Sequence, residues 1–306
     1  MAIAQAIGDT IEDQRTPPPD PKKRGRWTPY LLLLPGMLWL AIFFALPLLF
    51  LFSTSLQTPV AGGEVGEFEQ TFNWANYIDT LKDEYYYVPL FRSFMYSGIA
   101  TVLALLIGYP LAYMIAFKAG RWRNLLLVMV IAPFFVSFLL RTIAWRQILA
   151  DEGVVVGVLR NFGLVGETAG IYPSALAVIT GLTYNFLPFM TLPIYASLER
   201  VDPRLMEAGK DLYAKPFTGF RKITWPLSLP GVVAGTLLTF IPASGDYVNA
   251  ELLGTGKNSM IGNRIQYEFF NVRDYPTMAV LSFVLMATIL VIVLVYVKRV
   301  GSEDLV

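Results

Sequence analysis

Apolar residues occur in six long runs that are separated by shorter, more polar stretches. A helix needs about 20 apolar residues to cross a hydrocarbon core about 30 Å thick, because lipid offers the backbone no hydrogen-bond partner. Runs of about this length cover residues 31–52, 93–117, 124–149 with Arg141 as an interruption, a segment within 168–198, 223–245 and 275–297. The pattern therefore predicts an all-α membrane protein with six transmembrane helices.

Lysine and arginine are divided unequally between the two sides that these spans define. One side receives 16 of the 24 cationic residues and the other receives 8. Because positively charged loops stay in the cytoplasm, both termini are predicted to be cytoplasmic. Residues 1–29 then form a basic, proline-rich leader that we expect to be disordered, residues 30–299 form the six-span domain, and residues 300–306 form a cytoplasmic tail.

Composition narrows the chemistry that this chain can perform. It is 55% hydrophobic and 15% charged, with a net charge of +1. It contains no cysteine and no histidine, which removes disulfides, thiolate sites and imidazole bases. The sequence has no GxxxxGK[ST] motif, so ATP-driven work needs another polypeptide. We expect no cofactor and no metal on this chain, and no nucleic-acid partner.

Two loops carry charge patterns with more than one interpretation. The outer segment 54–92 is acidic, which is typical of a solvated loop and also of an electrostatic funnel for a cation or a basic partner. In the inner loop 199–224, Asp202-Pro203 predicts a helix start, and Pro216 is predicted to end that helix. This amphipathic helix either lies on the surface of anionic lipid or inserts into a cytoplasmic partner protein. Its apolar positions recur at helical spacing: Leu205, Met206, Gly209, Leu212 and Tyr213.

The same inner loop resembles the EAA signature of ABC importer permeases. The similarity is carried by Glu207-Ala208-Gly209, Tyr213-Ala214, Ile223, Pro226, Pro230 and Gly231. The sequence departs from the signature at three positions. Gly209 stands where a second Ala is usual, Tyr213 replaces the Gly of a tight turn, and Trp225 takes the place of a Leu.

Further stretches are similar to the spermidine/putrescine permease subfamily of these importers. They are Asn76-Tyr77, the segment 108–113, Arg141 with Trp145, and the segments 241–248, 251–254, 261–263 and 274–276. The resemblance implies a type I permease fold in a bacterial cytoplasmic membrane. Related permeases carry opines, phosphonates or other amino-compounds, so these solutes remain alternatives.

The resemblance also implies partners. A second homologous permease would form the other half of the path. Two ATP-binding subunits, which hold ATP and Mg²⁺, would dock on the coupling loop of about 199–224, and a periplasmic or lipid-anchored binding protein would deliver the solute. An ion-driven secondary transporter fits poorly, because the spans contain no midplane carboxylate, and a membrane enzyme would need a polar catalytic cluster that is missing.

Three groups of site residues follow from this reading. The ATPase-coupling group consists of Glu207, Ala208, Gly209 and the ridge of Leu205, Met206, Leu212 and Tyr213. The substrate path is expected at Asp246, Tyr247, Arg141, Trp145, Tyr184 and Asn185. Gly231 and Gly235 form either a close helix-packing site or a plain face of small residues.

Arg141 and Asp246 have a second interpretation. Counted along straight helices at about 1.5 Å per residue, both lie near the outer surface, with Arg141 about 25 Å from Asn124. There Arg141 and Asp246 could neutralise each other, or Arg141 could extend to water.

Overall fold

A computed structural model describes residues 28–163, 166 and 170–300. The predicted leader, apart from its last two residues, and residues 301–306 of the tail lie outside the described residues. The chain divides after Leu51 into two units. Helix α1 crosses this division as Thr28–Leu40, a π-helical turn at Ala41–Ala45, and Leu46–Ser55.

A two-stranded hairpin and two helices follow α1. Strands β1 (Gln57–Pro59) and β2 (Phe68–Gln70) pair antiparallel with Gln57 opposite Gln70. Helix α2 (Ala75–Lys82) leads into the long helix α3 (Glu84–Phe117). Asn76 Nδ2 donates to the carbonyl oxygens of Ser55 (3.0 Å) and Gln57 (2.8 Å), which fixes α2 against the end of α1.

The remaining helices continue to residue 300. They are α4 (Arg123–Ile131), α5 (Phe138–Leu149), α6 (Val154–Asn161), α7 (Ala175–Glu199), α8 (Pro203–Asp211), α9 (Pro216–Gly219), α10 (Trp225–Ser244), α11 (Val248–Leu253), α12 (Ile261–Tyr267) and α13 (Tyr275–Val300). Short 3₁₀ turns flank α4, at Gly120–Trp122 and Ala132–Phe135, and another covers Gly256–Asn258. Phe220–Thr224 and Glu268–Val272 are π-helical turns.

Five helices in the described part of the chain are long and apolar enough to cross a membrane: Tyr30–Ser55, Glu84–Phe117, Ala175–Glu199, Pro216–Ser244 and Tyr275–Arg299. They correspond to five of the six predicted spans. The third predicted span is a bent pair, Gly120–Phe135 and Phe138–Asn161, whose axes differ by 98°. The structure is therefore that of a mostly helical, multi-pass membrane protein, and its described residues contain five candidate spans, or six if the bent pair crosses as one.

The bend corrects the straight helix assumed for residues 124–149. Pro133 has no N–H to donate, the chain tightens into a 3₁₀ turn there, and Val136 then adopts an extended conformation with φ −96° and ψ 138°. Arg141 lies one turn beyond this break. The depth of about 25 Å counted along a straight helix is therefore wrong.

Helix α7 is the centre of the second unit and packs on α3 and α10. Its fully buried residues Leu182, Met190, Ile194 and Leu198 contribute to two apolar clusters along its length. A Cβ added at Gly231 would lie 2.5 Å from the carbonyl oxygen of Pro193, and one at Gly235 would lie 2.9 Å from that of Met190. The helix that approaches the two glycines is therefore α7 of the same chain.

Candidate functional site

The inner loop forms the helix that its sequence predicts. Asp202 Oδ1 accepts a hydrogen bond from the backbone N–H of Arg204 at 2.9 Å, so Asp202 caps α8 as expected. The predicted end of the helix is wrong. Helix α8 ends at Asp211, and Pro216 begins the short helix α9, because a proline fits the first turn of a helix better than its end.

Tyr213 makes the turn after α8 in a left-handed conformation with φ 56°. The backbone N–H of Ala214 donates to the carbonyl oxygen of Gly209 at 3.0 Å and closes this turn. A non-glycine residue pays about 1 kcal/mol for this conformation. The turn is therefore made without the usual glycine, and it leaves the Tyr213 side chain 96% exposed.

The residues of the predicted apolar ridge of α8 do not all face the same way: some pack against their own chain and others are exposed. Met206 Sδ accepts a hydrogen bond from Thr224 Oγ1 at 3.3 Å, and a Cβ at Gly209 would lie 3.1 Å from Ile223 Cδ1. Met206 and Gly209 therefore face their own chain. The members of the predicted coupling group that are exposed are Leu205, Glu207, Ala208, Leu212 and Tyr213.

Asp246 lies just after α10 and is only 9% exposed. Its Oδ1 accepts from the backbone N–H of Asn249 at 2.8 Å, and its Oδ2 accepts from Asn249 Nδ2 at 3.2 Å. The carboxylate therefore caps the start of α11. Burial raises the pKa of Asp246 from 3.8 to about 6, although the two hydrogen bonds from Asn249 act in the opposite direction.

A buried polar chain continues from Asn249 into the helices. Asn185 Nδ2 donates to Asn249 Oδ1 at 3.0 Å and to Thr142 Oγ1 at 3.2 Å, so it joins α7 to α11 and α5. Asp246 and Asn185 were predicted from the sequence as path residues, whereas Thr142 and Asn249 were not. The Asp246-x-x-Asn249 spacing is compatible with a helix cap, whereas no local signal indicates Thr142.

Arg141 is 9% exposed and lies close to two aromatic rings. Its guanidinium carbon is 5.6 Å from the ring centroids of both Phe134 and Phe138. Its Nε and Nη1 have no hydrogen-bond partner in the described part of the chain. Among residues 28–163 and 170–300, Arg141 forms no ion pair with Asp246, so the mutual neutralisation considered for them is wrong.

Trp145 and Tyr184 come together from α5 and α7. Their ring centroids are 5.1 Å apart in an edge-to-face arrangement. Both border a cavity of about 250 Å³, lined by Leu103, Ile107, Trp145, Thr180, Thr183, Tyr184 and Leu187. Aromatic faces attract cations, and this lining contains no carboxylate, so a cation would be held here weakly.

Tyr247 directly follows Asp246 in the chain, but it does not line the cavity beside Trp145 and Tyr184. It is 44% exposed and borders a different cavity with Gly245, Gly262 and Phe269. The structure thus brings the predicted path residues together in two groups, Trp145 with Tyr184, and Asp246 with Asn185. It places Arg141 and Tyr247 in neither group.

Comparisons with known proteins show the class of protein to which this chain belongs. Residues 104–300 match the family described as binding-protein-dependent transport system inner membrane component, and the chain belongs to this family. The fold is similar to a bacterial ABC transporter that imports the acidic polysaccharide alginate, with a TM-score of 0.71, 18% identity and coverage of 97% of this chain and 98% of that chain. The chain is a permease subunit of a transport system, and the resemblance found in its sequence is confirmed.

Other relatives are more similar to this chain in sequence than the alginate transporter is. The chain is 36% identical to the spermidine/putrescine transport system permease protein PotB of Haemophilus influenzae, over 84% of this chain and 89% of the relative. It is also 36% identical to PotB of Escherichia coli, over 84% of this chain and 92% of the relative. An inner membrane ABC transporter permease protein of E. coli, YdcU, is 31% identical over 71% of this chain and 73% of the relative.

Proposed function

We propose that the chain is the permease subunit of an ABC importer for polyamine cations such as spermidine and putrescine. The observation that carries this proposal is the 36% identity, over 84% of the chain, to permeases named for spermidine and putrescine transport. The subunit forms half of a path across the bacterial cytoplasmic membrane. Both termini lie in the cytoplasm, and hydrolysis of ATP takes place in other subunits.

Partners complete the importer. A second homologous permease forms the other half of the path, and a binding protein delivers the polyamine from outside. Two ATP-binding subunits hold ATP and Mg²⁺ and dock on the loop between α7 and α10. Support for this docking comes from exposed Leu205, Leu212 and Tyr213 beside Glu207, since an apolar surface with one carboxylate suits a groove with a cation at its edge.

The polyamine passes the cavity beside Trp145 and Tyr184. Its ammonium groups contact the aromatic faces, and the absence of a carboxylate from the lining keeps the affinity low enough for release. Asp246 acts as a positioning residue, because both of its oxygens are engaged by Asn249. Through its hydrogen bonds with Asn249, and through those of Asn249 and Thr142 with Asn185, it helps to hold α11, α7 and α5 together.

Paired substitutions at Tyr184 test this path. In proteoliposomes that contain the complete importer, Tyr184→Ala removes an aromatic face and should lower spermidine uptake several-fold. Tyr184→Phe keeps the face and should retain uptake, which makes it the matched control. Equal uptake by wild type and Tyr184→Ala, with equal assembly, would place the path elsewhere.

A further inference from the structure

Three cationic side chains meet in a cavity at the Glu84 end of α3. The cavity measures about 520 Å³ and is lined by Glu84, Tyr85, Val88, Pro89, Arg92, Gly256, Lys257 and Arg264. Arg92, Lys257 and Arg264 carry three positive charges against the one carboxylate of Glu84. Within the described residues none of the three forms an ion pair. Buried Glu268, outside the lining, offsets part of the charge of Arg264, so the excess of positive charge lies mainly at Arg92 and Lys257.

Contacts within the chain hold both arginines in place. Arg92 Nη1 donates to the carbonyl oxygen of Ser259 at 2.9 Å. The guanidinium carbon of Arg264 lies 3.9 Å from the ring centroid of Tyr85, and its Nε is buried without a hydrogen-bond partner in the described part of the chain. Such side chains lose little conformational freedom when a ligand binds, which favours affinity.

The loop that carries Lys257 is also fixed. Thr255 Oγ1 donates to Asn258 Oδ1 at 2.6 Å, and Asn258 Nδ2 donates to the hydroxyl of Tyr96 on α3 at 3.2 Å. Three residues further along, the backbone N–H of Ile261 donates to Ser93 Oγ at 2.8 Å. The exposed Lys257 therefore projects from a loop whose following residues, Asn258 and Ile261, are attached to α3.

The position of the cavity indicates what can reach it. Arg92 directly precedes the apolar run that begins at Ser93, and Glu84 lies eight residues before Arg92. At about 1.5 Å per residue the cavity extends about 12 Å beyond the start of the apolar run. A polyamine has the same sign of charge as the cavity and is repelled, so the ligand is an anionic group that approaches from this side of the membrane.

We propose that this cavity receives carboxylate side chains of the substrate-binding protein. The proposal rests on the proposed function, which places this side of the chain outside the cytoplasm. A carboxylate can accept paired hydrogen bonds from an arginine, and Lys257 adds attraction at the rim. The outer segment is acidic at Glu64, Glu67, Glu69, Asp79 and Asp83, so basic and acidic surfaces together would fix the orientation of the docked protein.

Charge substitutions at the cavity test the docking. The spermidine-loaded cognate binding protein is titrated onto the complete importer in nanodiscs of zwitterionic lipid, at low and high salt. Lys257→Glu should raise Kd about tenfold at low salt and reduce the salt dependence, and Lys257→Gln and Arg264→Gln should raise Kd by smaller factors. Lys82→Glu changes an exposed cation that does not line the cavity, and serves as the matched control.

The outcomes separate three explanations. Unchanged Kd values in all three cavity variants would overturn the docking proposal. An effect that occurs only in nanodiscs with anionic lipid would also overturn it and would assign the cavity to lipid headgroups. Spermidine uptake by wild type is measured in parallel, because failure of uptake contradicts the proposed function, whereas normal uptake with unchanged binding of the variants contradicts the docking alone.

Discussion

Replacing Asp246 with Asn removes a buried carboxylate and keeps the shape of the side chain. The folded pKa of about 6 lies about 2 units above the ordinary value of 3.8. At about 1.4 kcal/mol per unit, ionised Asp246 therefore costs the fold about 3 kcal/mol. Because the folded pKa is raised, wild-type stability is retained below pH 4 and is lost as the pH rises through 6.

The variant should lack this pH dependence. Its new amide places a donor against Asn249 Nδ2, which costs about 1 kcal/mol, but this cost is independent of pH. The stability of Asp246→Asn relative to wild type should therefore rise by about 3 kcal/mol between pH 4 and pH 8. Thermal unfolding of the assembled importer across this pH range measures this difference, with Asp79→Asn, at an exposed position of α2, as the control. A constant difference between Asp246→Asn and wild type would refute the buried-carboxylate account.

Three further substitutions test other parts of the structure. Gly235→Leu should lower the unfolding temperature by the equivalent of about 2 kcal/mol, because the new Cβ would lie 2.9 Å from the Met190 carbonyl oxygen. Gly98→Ala is the control and should not lower it, because a Cβ at Gly98 meets nothing within 4 Å. Equal effects of the two variants would contradict the close packing at Gly235. Tyr213→Gly should stabilise the isolated permease by about 1 kcal/mol by removing the left-handed strain, and a loss of stability would show that Tyr213 is not strained. Glu207→Lys should uncouple spermidine uptake from ATP hydrolysis, and intact coupling would exclude Glu207 from the ATPase contact.

The approximate positions of five apolar helices could be predicted, because lipid imposes a minimum length and a uniform apolar character on any span. The break before Phe138 could not be predicted from the sequence. Proline occurs in several of these helices, and Pro188 and Pro193 lie inside an unbroken α7. Val136 and Ser137, with ψ of 138° and 136°, both leave the helical conformation and separate the bent pair from a kinked helix.

The site was predictable where its contacts are local. Asp202 caps the helix that begins at the next residue, which its sequence indicates. The meeting of Trp145 with Tyr184 joins two helices, so residue types alone could suggest the aromatic pair but not its geometry. Asp246 was proposed for the path because it is charged. Its hydrogen bonds with Asn249 are local, whereas its burial follows from the tertiary fold.

Uptake of spermidine tests the central claim most directly. The permease is co-reconstituted with its companion permease, the ATP-binding subunits and the cognate binding protein in proteoliposomes, and labelled spermidine is followed with and without ATP and Mg²⁺. We predict that labelled spermidine accumulates only when the binding protein and ATP are present. Excess unlabelled putrescine or spermidine should reduce this accumulation, and an anionic solute should not. ATP-dependent uptake of an anionic solute, with no uptake of either polyamine, would contradict it.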